Sequence, residues 1–194
     1  MADSADITDA AAVTKGVVAI VGCGLGLGGA IAVKFANEGF SVAAMARSQS
    51  SLDHVNGLLS AIGGGTKKHG FYTMDATKKK DVDAAFAKAA AELGLVRVMV
   101  YNISDSPKMM QTAVLDINPA EYIDCFSRNA VGALLATQAC LPQMLASEGQ
   151  LVSEHSKGVA TKGTLLYTSA TAGTLLPTEP QTLHTLCACL ATTL

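Results

Sequence analysis

Residues 17–36, VVAIVGCGLGLGGAIAVKFA, place five apolar residues directly before a cluster of glycines. Four of these five residues are β-branched, which predicts a strand buried on both faces. Small and apolar residues with helical spacing follow the glycines. A strand, a glycine turn and a helix together form a cradle for a pyrophosphate, because glycine allows close approach and the helix N-terminus offers free N–H groups. The stretch therefore predicts a nucleotide-binding turn, with a purely structural turn as the alternative.

The composition indicates one globular domain without nucleic-acid or membrane partners. The chain has 194 residues, of which 49% are hydrophobic, enough for a substantial core. A formal net charge of −2 gives no reason to expect nucleic-acid binding, and we interpret Lys78-Lys79-Lys80 as the start of a helix. Residues 1–14 lack the pattern of a secretory signal, and no uncharged apolar stretch is long enough to cross a bilayer.

The cysteines favour a cytoplasmic protein without a metal site. There are five of them, an odd number without paired spacing, which suits a reducing compartment better than a disulfide framework. Cys187 and Cys189 are too close in sequence for the usual zinc half-site. We therefore expect no bound metal.

Strand and helix patterns alternate along the chain after the first strand. Further strands are predicted at 41–46, 70–74, 95–101 and 164–169, and helices at 51–62, 81–93 and 120–147. This alternation predicts an α/β fold with a doubly wound parallel sheet. Residues 1–14 form a predicted tail, 15–173 the predicted dinucleotide-binding domain, and 174–194 a C-terminal tail unlike the rest.

The spacing Gly22-x-x-x-Gly26-x-Gly28 resembles the glycine turn of the short-chain dehydrogenase/reductase family. Three further segments fit the resemblance: Asp75-Ala76-Thr77 after the third strand, Asn102-Ile103-Ser104 in place of Asn-Ala-Gly after the fourth, and Asn129 within an Asn-x-x-Gly setting. The resemblance implies a Rossmann fold with strand order 3-2-1-4-5, incomplete at its C-terminal side. It also implies reversible oxidoreduction of a carbonyl/alcohol pair with a nicotinamide cofactor.

The residues after the second strand favour NADP(H) as that cofactor. An NAD-selective fold places an acid here to bind the ribose 2′-hydroxyl, but no acid lies between Glu38 and Asp53. Arg47 stands at this position instead, and an arginine can hold a 2′-phosphate through charge-assisted bonds. The alternative is a solvated arginine in a loop.

The resemblance assigns two sets of site residues. Asn129 is the candidate catalytic residue, which in the family holds a proton-relaying water; an asparagine facing solvent is the alternative. We also expect Cys23, at a helix N-terminus, to have a lowered pKa. The candidate cofactor-binding residues are Gly22, Cys23, Gly24, Leu25, Gly26, Leu27, Arg47, Ser48, Asp75, Ala76 and Asn102.

The C-terminal part departs from the family pattern. Aligned on Gly173, Ala170 stands where the family has a catalytic serine, and Leu183 and Cys187 fall near the expected Tyr-x-x-x-Lys pair. A truncated or divergent variant and a reading-frame or splice difference both fit this tail. The sequence thus predicts either an NADP(H)-dependent oxidoreductase with a small carbonyl or alcohol substrate, or a non-catalytic nucleotide-binding or interaction protein. In both cases we expect self-association through an uncovered helix face that includes Val131, Leu134 and Leu135.

Overall fold

A computed structural model describes residues 15–62, 68–103, 113–146 and 163–168. The elements are β1 (Val17–Val21), α1 (Leu27–Asn37), β2 (Ser41–Ala46), α2 (Gln49–Ala61), β3 (Gly70–Thr73), α3 (Lys79–Leu93), β4 (Val96–Tyr101), a short 3-10 helix (Val114–Asp116), α4 (Pro119–Phe126), a π-helical turn (Ser127–Val131), α5 (Gly132–Ala146) and β5 (Thr164–Tyr167). The described strands form a parallel sheet in the order β3-β2-β1-β4-β5. The predicted fold class and strand order are confirmed.

The sheet is covered on both faces, and β1 runs through the centre of the core. Successive β1 side chains point to opposite faces, so Val17, Ala19 and Val21 join one hydrophobic cluster while Val18 and Ile20 join the other. The first cluster packs against α3 and α5, and the second against α1 and α2. All five β1 residues are buried, as an apolar strand covered on both sides requires.

Local capping groups explain where the helices begin and end. Gly39 adopts φ +97°, and the N–H groups of Gly39 and Phe40 donate to carbonyls in the last turn of α1. The Ser48 hydroxyl accepts from Ser51 N–H, so α2 begins at Gln49, two residues before the predicted start. Asn118 caps α4 in the same way, with Pro119 in the first turn.

The segment predicted as one long helix over 120–147 has a π-helical turn inside it. In residues 127–131 the backbone hydrogen bonds join residues five apart instead of four. Regular α-helix lies on either side of this turn. The prediction of an uninterrupted helix is therefore wrong at this turn. A π turn inserts one extra residue, and such turns occur frequently at functional sites.

The described ranges contain neither a membrane-crossing helix nor a metal cluster. None of their helices is both long and apolar enough to span a bilayer. In the same part of the chain, no three His, Cys, Asp or Glu residues lie together in a way that could hold a metal ion.

Candidate functional site

The carboxyl ends of the five parallel strands meet at one edge of the sheet. The chain leaves β1 toward β2 on one side, and it leaves β4 toward β5 on the other. In sheets of this topology a ligand usually binds at this change of direction, beyond the carboxyl ends of the strands. The candidate residues that follow β1, β2, β3 and β4 all lie at this edge.

The glycines after β1 divide into two groups by what surrounds them. Gly22 has φ +86°, and a Cβ there would meet the Asn102 carbonyl oxygen at 2.7 Å. A Cβ on Gly28 would lie 2.9 Å from Cys23 Cα, and one on Gly29 would lie 2.7 Å from Gly24 O. These three glycines let backbone segments pack together. A side chain at any of the three would collide with the protein's own backbone rather than with a ligand.

Gly24 and Gly26 form the second group. A Cβ on either would have no heavy atom within 4 Å among the described residues, so both face open space. Gly26 is the residue before α1. Because it has no side chain, it leaves the N-terminus of the helix without a side-chain cap. The N–H groups of the first helical turn have no partners inside the helix, so hydrogen-bond donors are available at this end of α1. Leu25 and Leu27 flank it and are 70% and 58% exposed.

Cys23 does not have the lowered pKa expected from its sequence position. Its side chain is fully buried, and its Sγ donates to Gly28 O at 3.5 Å. Burial disfavours the thiolate and raises the pKa of Cys23 to about 12. The helix N-terminus cannot offset this desolvation, because the thiol points into the core among the residues packed against α1 and α2. The prediction of a reactive thiol is wrong.

Arg47 and Ser48 lie directly after β2, and both are exposed. Within the described ranges, no hydrogen bond or ion pair ties down the Arg47 guanidinium. The Ser48 hydroxyl already contacts Ser51 Oγ at 2.8 Å in addition to capping α2. Asp53, the next acid along the chain, accepts from Gln49 Nε2 at 2.9 Å on the exposed surface of α2. The guanidinium is thus available to a ligand, while the Ser48 side chain is partly committed to the helix.

Asp75 forms a compact turn after β3. Its Oδ1 accepts from the Thr77 N–H at 3.0 Å and from the Thr77 hydroxyl at 2.8 Å, and Lys78 Nζ lies 3.4 Å from Oδ2. Burial opposes ionisation, but the hydrogen bonds from Thr77 and the Lys78 charge outweigh it, so the pKa of Asp75 is lowered. The Asp75 carboxylate shapes this turn. It does not cap α3, because the residue directly before that helix is Lys78.

Asn102 connects the carboxyl ends of three strands. Its Nδ2 donates to Gly22 O at 3.1 Å, and its Oδ1 accepts from the Thr168 hydroxyl at 3.0 Å. The Thr168 N–H also donates to Tyr101 O at 3.0 Å. The glycine turn after β1 is thereby tied to the ends of β4 and β5. Sequence reasoning identified Asn102 but not Thr168, which no local pattern distinguishes.

Asn129 lies in the π-helical turn and is half-buried. Its Nδ2 donates to Cys125 O at 2.9 Å, so the amide is held against its own helix rather than turned out to solvent. The hydroxyl of Tyr101, at the end of β4, donates to the backbone oxygen of Arg128 next to it. The sequence analysis did not identify Tyr101. The one indirect signal was Gly132, which packs against the Tyr101 hydroxyl, because a glycine inside a predicted helix often has a packing reason.

Several predicted features lie outside the described residues. They include the tails 1–14 and 174–194, Ala170 in place of the family serine, and Leu183 and Cys187 near the expected Tyr-x-x-x-Lys position. The described site thus comprises the glycine turn, the loops after β2 and β3, residues 102–103 after β4, and the π-helical turn.

A family model described as short chain dehydrogenase matches residues 16–176. An uncharacterized oxidoreductase of Staphylococcus aureus is 28% identical over 162 residues, which cover 82% of this chain and 67% of that protein. A short-chain dehydrogenase/reductase of Armillaria gallica is also 28% identical over 162 residues, covering 82% of this chain and 60% of that protein. The chain thus spans about two thirds or less of these relatives.

Solved structures show the same fold. A short-chain type dehydrogenase/reductase from Mycobacterium marinum superposes with a TM-score of 0.74 at 21% identity, covering 93% of this chain and 67% of that one. An NAD+-bound xylitol dehydrogenase superposes with a TM-score of 0.71 at 19% identity, covering 93% of this chain and 63% of that one. At these identities the likeness concerns the fold alone.

Proposed function

Because the chain belongs to the short chain dehydrogenase family, we propose that it binds a nicotinamide dinucleotide at the carboxyl edge of its sheet, NADP(H) in preference to NAD(H). The observation that carries this proposal is the open space over Gly24 and Gly26 at the N-terminus of α1. A pyrophosphate needs close backbone approach and N–H donors, and both are present there. The residues therefore fit such a cofactor.

The preference for NADP(H) is supported by the loop after β2. Arg47 is exposed at the end of the strand next to the glycine turn, and no acid lies between Glu38 and Asp53 in the sequence. A guanidinium there stabilises a 2′-phosphate through charge-assisted hydrogen bonds, whereas an acid would repel it. Ser48 and the turn at Asp75 and Ala76 would line the adenosine end of the site.

The proposed reaction is reversible oxidoreduction of a carbonyl/alcohol pair. A bound nicotinamide supplies the hydride donor or acceptor for such a pair. The chain's own contribution, in this proposal, is to position groups around the ring: Asn102 holds the glycine turn to β4, and the Asn129 amide lies on the helix that follows, where it would hold a water. The small carbonyl or alcohol substrate belongs to the same proposal.

A second candidate function is dinucleotide binding without turnover. It is favoured by one observation, namely that the sequence has no tyrosine after Tyr167 and no lysine or arginine after Lys162. In this family a tyrosine transfers the proton, and a lysine lowers the pKa of that tyrosine and holds the ribose. With neither present in that segment, the chain would be a binding or interaction protein on the same fold.

A cofactor titration tests the proposed preference. We expect NADPH to bind the full chain more tightly than NADH, and Arg47→Ala to remove most of the difference. Loss of a charge-assisted contact costs on the order of 1.5–3 kcal/mol, which is about ten- to a hundredfold in Kd. Lys80→Ala is the matched control, since it removes an exposed positive charge from α3. Equal affinities for the two dinucleotides in the unaltered chain would refute the assignment.

A turnover assay separates the two candidate functions. Oxidation of NADPH by a panel of aldehydes and ketones, above the rate without protein, would support the oxidoreductase. Tight NADPH binding without turnover would support the binding protein. We further propose a cytoplasmic location, which the buried thiols of Cys23 and Cys140 support, since a reducing compartment keeps cysteines in this form.

A further inference from the structure

The π-helical turn and the end of β4 are joined by one buried side chain. Tyr101 is the last residue of β4 and is 2% exposed, and its hydroxyl donates a hydrogen bond to the Arg128 carbonyl. Burial and the nearby Asp75 charge both raise the pKa of Tyr101, so the hydroxyl stays protonated and able to donate.

The carbonyl that receives this hydrogen bond has lost its usual helical donor. In an α-helix the Gly132 N–H would donate to the oxygen four residues earlier, which is Arg128 O. Here the Gly132 N–H donates to Ser127 O, five residues earlier. The π turn thus releases Arg128 O from its ordinary bond with Gly132, and the Tyr101 hydroxyl donates to this same oxygen.

Gly132 provides the room for that contact. A Cβ at this position would overlap the Tyr101 hydroxyl, and it would lie 3.2 Å from Ala76 O. Glycine within a helix costs about 1 kcal/mol relative to alanine, so the close approach gives a physical reason for its presence. Three contacts therefore occur at the same π-helical turn: the hydrogen bond from Tyr101 to Arg128 O, the bond from Gly132 N–H to Ser127 O, and the close approach of the Tyr101 hydroxyl to Gly132.

We propose that Tyr101 is a positioning residue, whose hydroxyl holds the π turn in place and thereby sets where the Asn129 amide lies at the carboxyl edge of the sheet. Asn129 is the residue directly after Arg128, so a change in the winding at Arg128 rotates it around the helix axis. The water-holding role of Asn129 rests on the proposed function. The hydrogen bond from Tyr101 to Arg128 O, and its effect on the π turn, do not.

Amide NMR of the full chain tests this role with a matched pair of variants. Tyr101→Phe removes the hydroxyl at the π turn. Tyr167→Phe removes a hydroxyl that contacts Thr137 Oγ1 in the regular part of α5. We expect Tyr101→Phe to shift the Asn129 side-chain amide signal and to speed Gly132 N–H exchange about tenfold, as loss of one buried hydrogen bond predicts. We expect Tyr167→Phe to leave both signals in place.

Unchanged Asn129 and Gly132 signals in Tyr101→Phe would overturn the proposal, as would equal changes in both variants. If Tyr101→Phe does not fold, Gly132→Ala gives the same test, because it displaces the hydroxyl without removing it. An unmoved Asn129 signal in that variant would again overturn the proposal. The Asn129 signal is assigned by its loss in Asn129→Asp. Failure of the unaltered chain to bind NADPH would contradict the proposed function and leave this comparison intact.

Discussion

At the scale of single residues, the glycines of the turn after β1 differ in what they do. Gly22 has a positive φ and contacts the Asn102 backbone, whereas Gly26 faces open space. A side chain at the first position strains the backbone, and one at the second occupies the space over the helix N-terminus. Two glycines four residues apart are therefore expected to respond differently to the same substitution.

We expect Gly26→Val to abolish NADPH binding while leaving the thermal unfolding midpoint nearly unchanged, because the added side chain meets the ligand and not the protein. Gly22→Val should lower the free energy of unfolding by about 2 kcal/mol or more, from strain and overlap with Asn102. Calorimetry and cofactor titration measure the two effects. A Gly26→Val protein that binds NADPH like the unaltered chain would exclude this space as the phosphate site.

The two buried thiols give the stability of the protein a pH dependence. Burial raises the pKa of Cys23 and of Cys140 to about 12, above the ordinary value of 9.0. The unfolded chain therefore loses these protons at lower pH than the folded chain does. The stabilisation is fully present below about pH 9 and is lost as the pH rises from there toward 12.

Denaturant unfolding at pH 8 and pH 10 measures this dependence. We expect the free energy of unfolding to fall by about 1 kcal/mol for each thiol over that interval. In Cys23→Ala and Cys140→Ala the fall should be smaller, even though each cavity lowers stability at both pH values. An equal fall in the variants and the unaltered chain would show that other groups cause it.

At the scale of elements, Asn102 joins the turn after β1 to β4 and β5 through the two ends of its amide. Asn102→Ala removes both hydrogen bonds, while Thr168→Val removes the hydroxyl bonded to Asn102 Oδ1 and keeps the side-chain shape. We expect the first change to cost about 2 kcal/mol of folding free energy and the second about 1 kcal/mol.

Cofactor affinity provides a second comparison of the Asn102→Ala and Thr168→Val variants. Because Asn102 Nδ2 bonds the Gly22 carbonyl, Asn102→Ala should loosen the glycine turn and weaken NADPH binding beyond the effect of Thr168→Val. Denaturant unfolding and NADPH titration of both variants check this order. A Thr168→Val protein more impaired than Asn102→Ala in both measurements would contradict the role given to Asn102.

At the scale of the whole molecule, apolar side chains lie exposed on the helical segment 119–146. Leu134 and Val131 are 37% and 36% exposed, but Leu135 packs against the core, so its predicted exposure is wrong. Among the described strands, β5 pairs only with β4. The other large apolar side chains exposed on this segment are Tyr122, Ile123, Phe126 and Leu145.

We propose that the chain self-associates through this face, because exposed apolar patches and strand edges favour association. Ile123 is 65% exposed, and Ile123→Lys should shift the sedimentation profile toward the monomer. Ala84→Lys adds the same charge at an exposed position of α3 and should leave the profile unchanged. A monomeric unaltered chain that binds no hydrophobic dye would refute the proposal.

The order of strands and helices was predictable because hydrophobic periodicity is a local property of the sequence. The apolar run 17–21 and the alternation of later segments led to the parallel sheet, while the resemblance to the short-chain dehydrogenase/reductase family implied its strand order. The first residues of α2, α3 and α4 were predictable to within about two residues, since residues such as Asn118 cap their own helix, whereas the end of α4 at Phe126 was not.

The roles of individual site residues depend on contacts between distant parts of the chain. Asn102 lies 80 residues from Gly22, and Tyr101 lies 27 residues from Arg128, yet both pairs are hydrogen-bonded. The burial of Cys23 likewise follows from packing of helices on the sheet, which overrides the effect of its local position. A side chain's pKa, its partners and the space around it are set by desolvation and packing, which no spacing in the sequence contains.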